Sequence, residues 1–302
     1  MTFVTNLTSY EIGPMTLIGC RLYSKPRPQS FMLEHPVDQG ILHRKDISIY
    51  YMQKRIAQDQ DSLHSINYRW STFLSRNPNS FNGRLCRVDG YRIYGARENA
   101  GSLDLYLSDT DYKEFVGTRE SLFESRFGKE KMANPLSVAA ILVSNDSKLL
   151  IGRRSSNTDA SKSSFSVVAG YIDPEKDISD GYNHVTATRM KKIDIFNGMI
   201  REIYEETGIK EGEIKQLICI GLLDNKKHNQ INVPFYSILD ISASEILQRG
   251  SSHSSKEFSE LFTIDDTKEA IEAFLKTTED QLSDIIVPIL HIYRSVILPR
   301  KH

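Results

Sequence analysis

The stretch from Ile195 to Ile209, I-F-N-G-M-I-R-E-I-Y-E-E-T-G-I, constrains the chain more than any other. At about 100° per residue it reads as a helix with two unlike faces. Phe196, Met199, Ile200 and Ile203 fall on one side and face a core. Glu202, Glu205 and Glu206 fall within an arc of roughly 100° on another. Gly198 shares the acidic side one turn before Glu202, where it leaves room. Gly208 stands where a left-handed cap ends a helix. Carboxylates three and four apart repel one another. Their clustering therefore reads either as a solvated acidic face or as a site for a hard cation. Mg²⁺ takes oxygen ligands, keeps several waters and bridges carboxylates to phosphates.

The neighbours of this helix decide between the two. Leu136–Val143 reads as a buried strand, Asn145 and Asp146 as a turn, and Leu149–Arg154 as the returning strand of a hairpin. Phe165–Gly170 is a short strand ending in glycine. From Asp173 to Lys192 the chain is polar, with Gly181 inside, and reads as a long surface loop. Upstream, Met15–Tyr23 is strand-like. Asp46 to about Leu63 reads as a helix opened by a capping Asp and carrying Ile47, Tyr50, Tyr51 and Ile56. Leu85–Tyr94 and Leu103–Leu107 have strand spacing, the second with strict alternation. Thr110 to Gly128 reads as loop and helix. Pro135 pushes Asn134 out of helix, which marks a boundary between 1–133 and 134–302. At about 150 residues per domain, the length fits two domains.

Composition excludes several classes. The 302 residues carry 38 Lys+Arg against 39 Asp+Glu, a net charge of −1, so nothing drives the chain as a whole toward nucleic acid or an anionic membrane. No run approaches ~18 consecutive apolar residues, the length of a membrane span. The first residues have neither the basic nor the apolar region of a signal peptide. Cys20, Cys86 and Cys219 are odd in number, far apart and without a Cys-x-x-Cys pair, the pattern of buried thiols in a reducing, cytoplasmic setting. The histidines show no ligand spacing. His184, His228 and His253 stand isolated in polar stretches and read as surface residues.

Arg201-Glu202-Ile203-Tyr204-Glu205-Glu206-Thr207-Gly208-Ile209 resembles the second half of the Nudix box, G-x5-E-x7-R-E-U-x-E-E-x-G-U, with every fixed position filled. The preceding order of hairpin, Arg, strand ending at Gly170, loop and helix is also similar. The resemblance covers roughly residues 134–290. It implies an α/β fold, a Nudix α/β/α sandwich with a mixed sheet, here preceded by a smaller α+β region. Two departures stand out. Gly170 and Arg201 are 31 positions apart where the pattern has 14, about 17 residues more. The position eight before the arginine holds Ile193 instead of Glu, with Asp194 beside it, so the first-half acid is lost or relocated. In the family that acid braces the loop and the helix.

Over most of its length the chain also resembles the UDP-glucose pyrophosphatase branch of the Nudix hydrolases. The resemblance rests on Phe81-Asn82-Gly83-Arg84, Thr110–Thr118, Asn134–Ala140, Arg153-Arg154-Ser155 and Ala169–Glu175, with Ile220–Leu223 and Val233–Tyr236 behind them. It implies cleavage of UDP-glucose or UDP-galactose to UMP and a hexose 1-phosphate with Mg²⁺, Mn²⁺ being the alternative ion, and a small-molecule nucleotide-sugar partner. Glu202 and Glu206 are then the first metal ligands, with Glu205 close behind, and Arg201 braces a neighbouring carboxylate. Arg153 and Arg154 leave a strand together, so alternation turns only one toward the site. The resemblance gives the diphosphate to Arg154, whose fork of donors suits phosphate oxygens. Phe81 and Tyr112 are candidates for the uridine, and Tyr171 and Asp173 for sugar or ribose hydroxyls. Each of these also fits plain packing or a turn. Glu257 is a candidate late-loop acid, with Glu260 its competitor. The N-terminal region is expected to pack on the Nudix part and share its pocket.

Two other readings remain at this stage. One is a Nudix hydrolase for ADP-sugars, dinucleoside polyphosphates or a nucleotide cofactor. Capped RNA is disfavoured, because no strongly basic segment accompanies the site. The other is a nucleotide-sugar-binding module without catalysis, favoured only by Ile193 at the place of the acid.

Overall fold

A computed structural model of the chain describes residues 31–33, 41–94, 101–155, 163–183, 188–225, 228–252 and 257–300. The first part holds β1 (Phe31–Leu33), β2 (Ile47–Arg55), α1 (Gln60–Arg76), β3 (Arg84–Tyr94), β4 (Ser102–Asp111), α2 (Tyr112–Thr118) and α3 (Ser121–Phe127). Then come β5 (Leu136–Val143), β6 (Lys148–Arg154), β7 (Phe165–Ser166), β8 (Val168–Tyr171), β9 (Ile178–Asn183), β10 (Thr188–Ile193) and α4 (Ile195–Thr207). The last part holds β11 (Ile214–Cys219), β12 (Leu223–Asn225), β13 (Gln230–Leu239), α5 (Ala243–Ser252), β14 (Phe258–Asp265), α6 (Lys268–Thr277) and α7 (Ile286–Ile292).

A continuous apolar run can be buried on both faces only inside a sheet covered on both sides. Every residue of β5 is buried. It lies mid-sheet, parallel to β13 in the register Leu136↔Ile231 and antiparallel to β8, in the order β1-β12-β13-β5-β6-β14. The sheet is therefore mixed. Leu136, Val138, Ala140 and Leu142 join Phe196, Met199 and Ile203 of α4 on one face. Ala139, Ile141 and Val143 join Ile271 and Phe274 of α6 and Ile289 and Leu290 of α7 on the other. This is an α/β/α layering.

A second sheet, β2-β4-β3, packs on the α4 side. The alternating Leu103, Leu105 and Leu107 of β4 share one apolar cluster with β5 and α4. The Cys86 amide donates to the Ile172 carbonyl at 2.9 Å, tying β3 to the segment just past β8.

Two segments differ from their sequence expectation. Residues 47–55 are a strand, not part of a helix from Asp46 to Leu63. Ile47, Ile49 and Tyr51 are half-buried and alternate with exposed Ser48, Tyr50 and Met52, and the strand runs parallel to β4. Two apolar positions three or four apart satisfy either period over so short a window. The helix begins instead at Gln60, where the Asp59 carboxylate accepts from the Ser62 amide at 2.8 Å. The polar stretch 173–192 is not an open loop. It contains the antiparallel hairpin β9–β10, closed at its base by Ile178↔Ile193. The Asp194 amide bonds the Asp177 carbonyl at 2.8 Å just below that base. With no apolar alternation to bury a face, its strands gave no periodic signal.

Cys86 and Cys219 are buried free thiols. His228 is half-buried, with Nε2 3.2 Å from Asp284 Oδ2, so it is not a bare surface residue. Met15–Tyr23, Cys20, His184 and His253 lie outside the described residues. No helix among the described residues is long and apolar enough to cross a membrane.

Candidate active site

Helix α4 is set by both of its ends. Asp194 is the N-cap, its Oδ1 accepting from the amides of Phe196 at 3.0 Å and Asn197 at 3.3 Å. Arg44 donates to Asp194 Oδ2 at 2.6 Å and lies over the Phe196 ring, 5.1 Å from its centroid. Gly208 closes the helix at φ 74. The helix is thereby fixed in rotation, with its acids toward β8.

Gly170 makes this approach possible. A Cβ there would stand 2.0 Å from the Glu202 carboxylate. Gly198 does the same for the turn below, where a Cβ would meet Ile172 at 2.4 Å and Asp177 Oδ2 at 3.1 Å. The sequence motif's final strand glycine and the helix glycine are thus two halves of one close contact.

Arg201 is held by a buried acid that the sequence pattern did not reveal. Its Nε donates to Asp177 Oδ1 at 2.7 Å and Nη2 to Asp177 Oδ2 at 2.8 Å. Asp177 is 1% exposed and also accepts from the Asp173 amide at 2.8 Å. Arg201 then donates to Glu202 at 2.6 Å, to Glu205 at 3.1 Å and to the Tyr171 carbonyl at 3.0 Å. Asp177 occupies the bracing role that Ile193 cannot fill. It stands seven residues after Gly170, where the pattern expects its acid at six. The signal was an acid one place late, followed by an insertion. The bonded neck between Asp177 and Asp194 shows that the insertion leaves the loop–helix geometry closed.

Glu206 is the least satisfied group here. It is 2% exposed, and no side chain hydrogen-bonds its carboxylate, which has only the Ala169 backbone amide near it. Burial pushes its pKa well above the ordinary carboxylate value. Glu257 and Glu202 push the same way, and Arg154 opposes them. Burial also raises Glu202 to about 7 against the opposing charge of Arg201. A buried carboxylate facing other carboxylates is costly unless a cation compensates it. The donor set, all carboxylate oxygen, fits a hard divalent ion such as Mg²⁺. Among the described residues, no three ligating side chains already form a closed cage.

Arg154 meets Glu257 with Nη2 3.2 Å from Oε2. Arg153 turns the other way, its guanidinium 4.4 Å from the Phe165 ring centroid and 4.0 Å from Glu260. The strand therefore separates the two arginines, and it puts Glu257 rather than Glu260 in the electrostatic reach of Glu202 and Glu206.

The N-terminal motifs meet beside this centre. The Asn82 side chain accepts from the Lys113 amide at 2.7 Å, and the Gly83 carbonyl accepts from Tyr112 at 2.9 Å. Arg84 bonds Glu175, next to the motif turn, and Asp109 at 3.1 Å. Tyr112 and Tyr171 lie with ring centroids 6.3 Å apart, and Phe115 packs on Tyr171 at 5.7 Å. Asp173 accepts from the Glu175 amide at 2.9 Å and meets Lys176 at 3.5 Å, so it shapes the turn. Phe81 is 78% exposed over Gly83 and belongs to no core.

Fold and site together define the class: a mixed α/β sandwich whose acidic helix sits against a strand-ending glycine. No family model matches the chain. It is similar to Nudix hydrolase 9 of Arabidopsis thaliana, 27% identical over 184 residues. That similarity spans 55% of this chain and 59% of the relative. The chain thus spans about three fifths of the length of that relative. Among solved structures it overlays DR0079 from Deinococcus radiodurans at 15% identity and TM-score 0.35, covering 52% of this chain and 82% of that one. It overlays the MutT protein from Methanosarcina mazei Go1 at 16% identity and TM-score 0.29, covering 55% and 93%. Overlays this loose carry no weight for function.

Proposed function

We propose that the chain is a Nudix-type pyrophosphohydrolase that uses Mg²⁺, or Mn²⁺ in its place, to hydrolyse UDP-sugars. UDP-glucose and UDP-galactose would give UMP and the hexose 1-phosphate. The observation that carries the metal-dependent reading is Glu206, a buried carboxylate without a side-chain hydrogen-bond partner and within electrostatic reach of Glu202, Glu257 and Arg154.

Glu206 and Glu202 would hold the ion, with Glu205 at the exposed rim. When bound, the ion polarises phosphate oxygens and lowers the pKa of a water. The protein supplies the rest. Asp177 fixes Arg201, and Arg201 fixes Glu202. Arg154 offers donors to the diphosphate, and Glu257 orients Arg154 and can accept a proton from the attacking water. Water adds its oxygen to one phosphorus, the bridging P–O bond breaks, and the departing phosphate takes a proton. The sugar-nucleotide assignment rests on the resemblance of the N-terminal motifs. In it Phe81 and Tyr112 serve the uridine, and Tyr171 and Asp173 serve sugar or ribose hydroxyls. Residues 1–133 would contribute that part of the pocket, and residues 134–302 the chemistry. The partner is a small molecule in the cytoplasm, with no role for nucleic acid or membrane.

The reading of a catalytically dead module rested on the missing acid, and Asp177 bonded to Arg201 removes that support. A product assay tests the proposal. The protein is incubated with UDP-glucose, UDP-galactose, ADP-ribose and a dinucleoside polyphosphate, each with Mg²⁺ and with chelator. UMP formed only from UDP-sugars and only with metal is the expected result, and Glu206→Gln should reduce it at least a hundredfold. Turnover of another substrate would retain the hydrolase and discard the UDP-sugar. No turnover of any would discard both.

A further inference from the structure

We propose that the cleft between α1 and α2 is a second binding site, for the phosphate monoester group of a small phosphorylated metabolite. The cleft is an open groove of about 550 Å³, within the range of ligand pockets. Its charged lining is Arg69, Arg76 and Arg119 against Glu120 alone, three cations minus one anion. Arg69 is already paired with Glu120. Arg76 and Arg119 have no carboxylate partner among the described residues. Arg55, Arg84, Arg201, Arg249 and Arg294 each meet a carboxylate within 4.0 Å, whereas these two, lining one cleft, do not.

Arg119 is the more telling of the two. Its guanidinium lies 5.8 Å from the centroid of Phe73 and 5.7 Å from that of Phe115. It is half-buried, so it has lost part of its water without gaining a counter-ion. A cation at a helix C-terminus is favourable in itself. That accounts for Arg76, the last residue of α1, and for Arg119, the C-cap of α2, taken singly. It does not account for both ends converging on one cleft with two unmatched charges. A phosphate dianion matches that excess of two, and guanidinium forks suit its oxygens. Tyr68, 70% exposed on the same rim, offers a flat apolar surface to whatever ring the phosphate carries.

The cleft carries its own reporter. Trp70 is the chain's single tryptophan, and its ring is 5.5 Å from that of Phe73 at the cleft wall. This site does not depend on the reaction proposed above. The full chain is titrated in chelator with UMP, glucose 1-phosphate and inorganic phosphate, followed by tryptophan emission and by calorimetry. Saturable binding is expected, weakened at least tenfold by Arg76→Ala and by Arg119→Gln and unchanged by Glu206→Gln. Equal affinity for all three probes assigns the phosphate alone, and preference for UMP or glucose 1-phosphate adds its ring. Circular dichroism and melting checks accompany each variant, and the exposed Arg76→Ala decides if Arg119→Gln is misfolded. Absence of saturable binding overturns the proposal. So does binding indifferent to both arginines, or binding lost in Glu206→Gln, which would move the ligand to the acidic helix.

Discussion

At the scale of single residues, the centre depends on one buried ion pair. Removing one partner of such a pair costs about 3–5 kcal/mol, because the other charge is left uncompensated. Asp177→Ala should therefore lower the melting temperature and reduce turnover by two or more orders of magnitude, and Asp177→Glu should restore part of both. Thermal melts and initial rates on the two variants measure this. Gly170→Ala should preserve most of the fold yet displace Glu202 and weaken Mn²⁺ binding by calorimetry at least tenfold. The raised carboxylates also set a pH response. Glu202 titrates near 7 in the folded, metal-free chain against 4.5 ordinarily, so the folded state holds its proton more tightly. Its stabilisation is complete below about pH 4.5 and is lost as pH rises through 7. In chelator, the Glu202 share of the unfolding free energy should fall by up to about 3 kcal/mol between pH 5 and 8, and Glu202→Gln should make the curve shallower while leaving the slope due to Glu206. The acids of α4 were legible in the sequence because a helix writes its faces into local spacing. Asp177 was not, because its pairing to Arg201 spans an insertion that no local period records.

Among the elements, the hairpin β9–β10 is held at a neck. Ile178 pairs with Ile193, and the Asp194 amide bonds the Asp177 carbonyl. Replacing residues 179–192 by a short turn should leave a folded protein that still binds Mn²⁺. Loss of folding in that variant would mean the hairpin supports the core. The hairpin and β2 share a reason for being missed. The sequence from 178 to 193 is too polar for alternation to appear, and a strand with Ile47, Tyr50 and Tyr51 satisfies a helical period by accident. By contrast β4 and β5 were legible. Leu103, Leu105 and Leu107 alternate strictly, and the apolar run 136–143 leaves no exposed face to disguise. Pairing partners were not legible at all, since nothing local in β5 names β13.

Across the whole molecule, one apolar cluster joins Leu103, Leu105 and Leu107 to Leu136, Phe196 and Phe235. Leu105 is fully buried in it, so Leu105→Ala should cost about 2–5 kcal/mol. The loss should show in a single unfolding transition, read identically by tryptophan emission and by far-ultraviolet circular dichroism. Two separated transitions would place the two sheets in independently folding units. The parallel pairing of Leu136 with Ile231 has a consequence during synthesis. The central strand leaves the ribosome 95 residues before the neighbour that covers its edge. At roughly 5–20 residues per second, that edge stays uncovered for about 5–20 seconds on every nascent chain. Yield in the cell should then follow the supply of chaperones more closely than the stability of the finished protein.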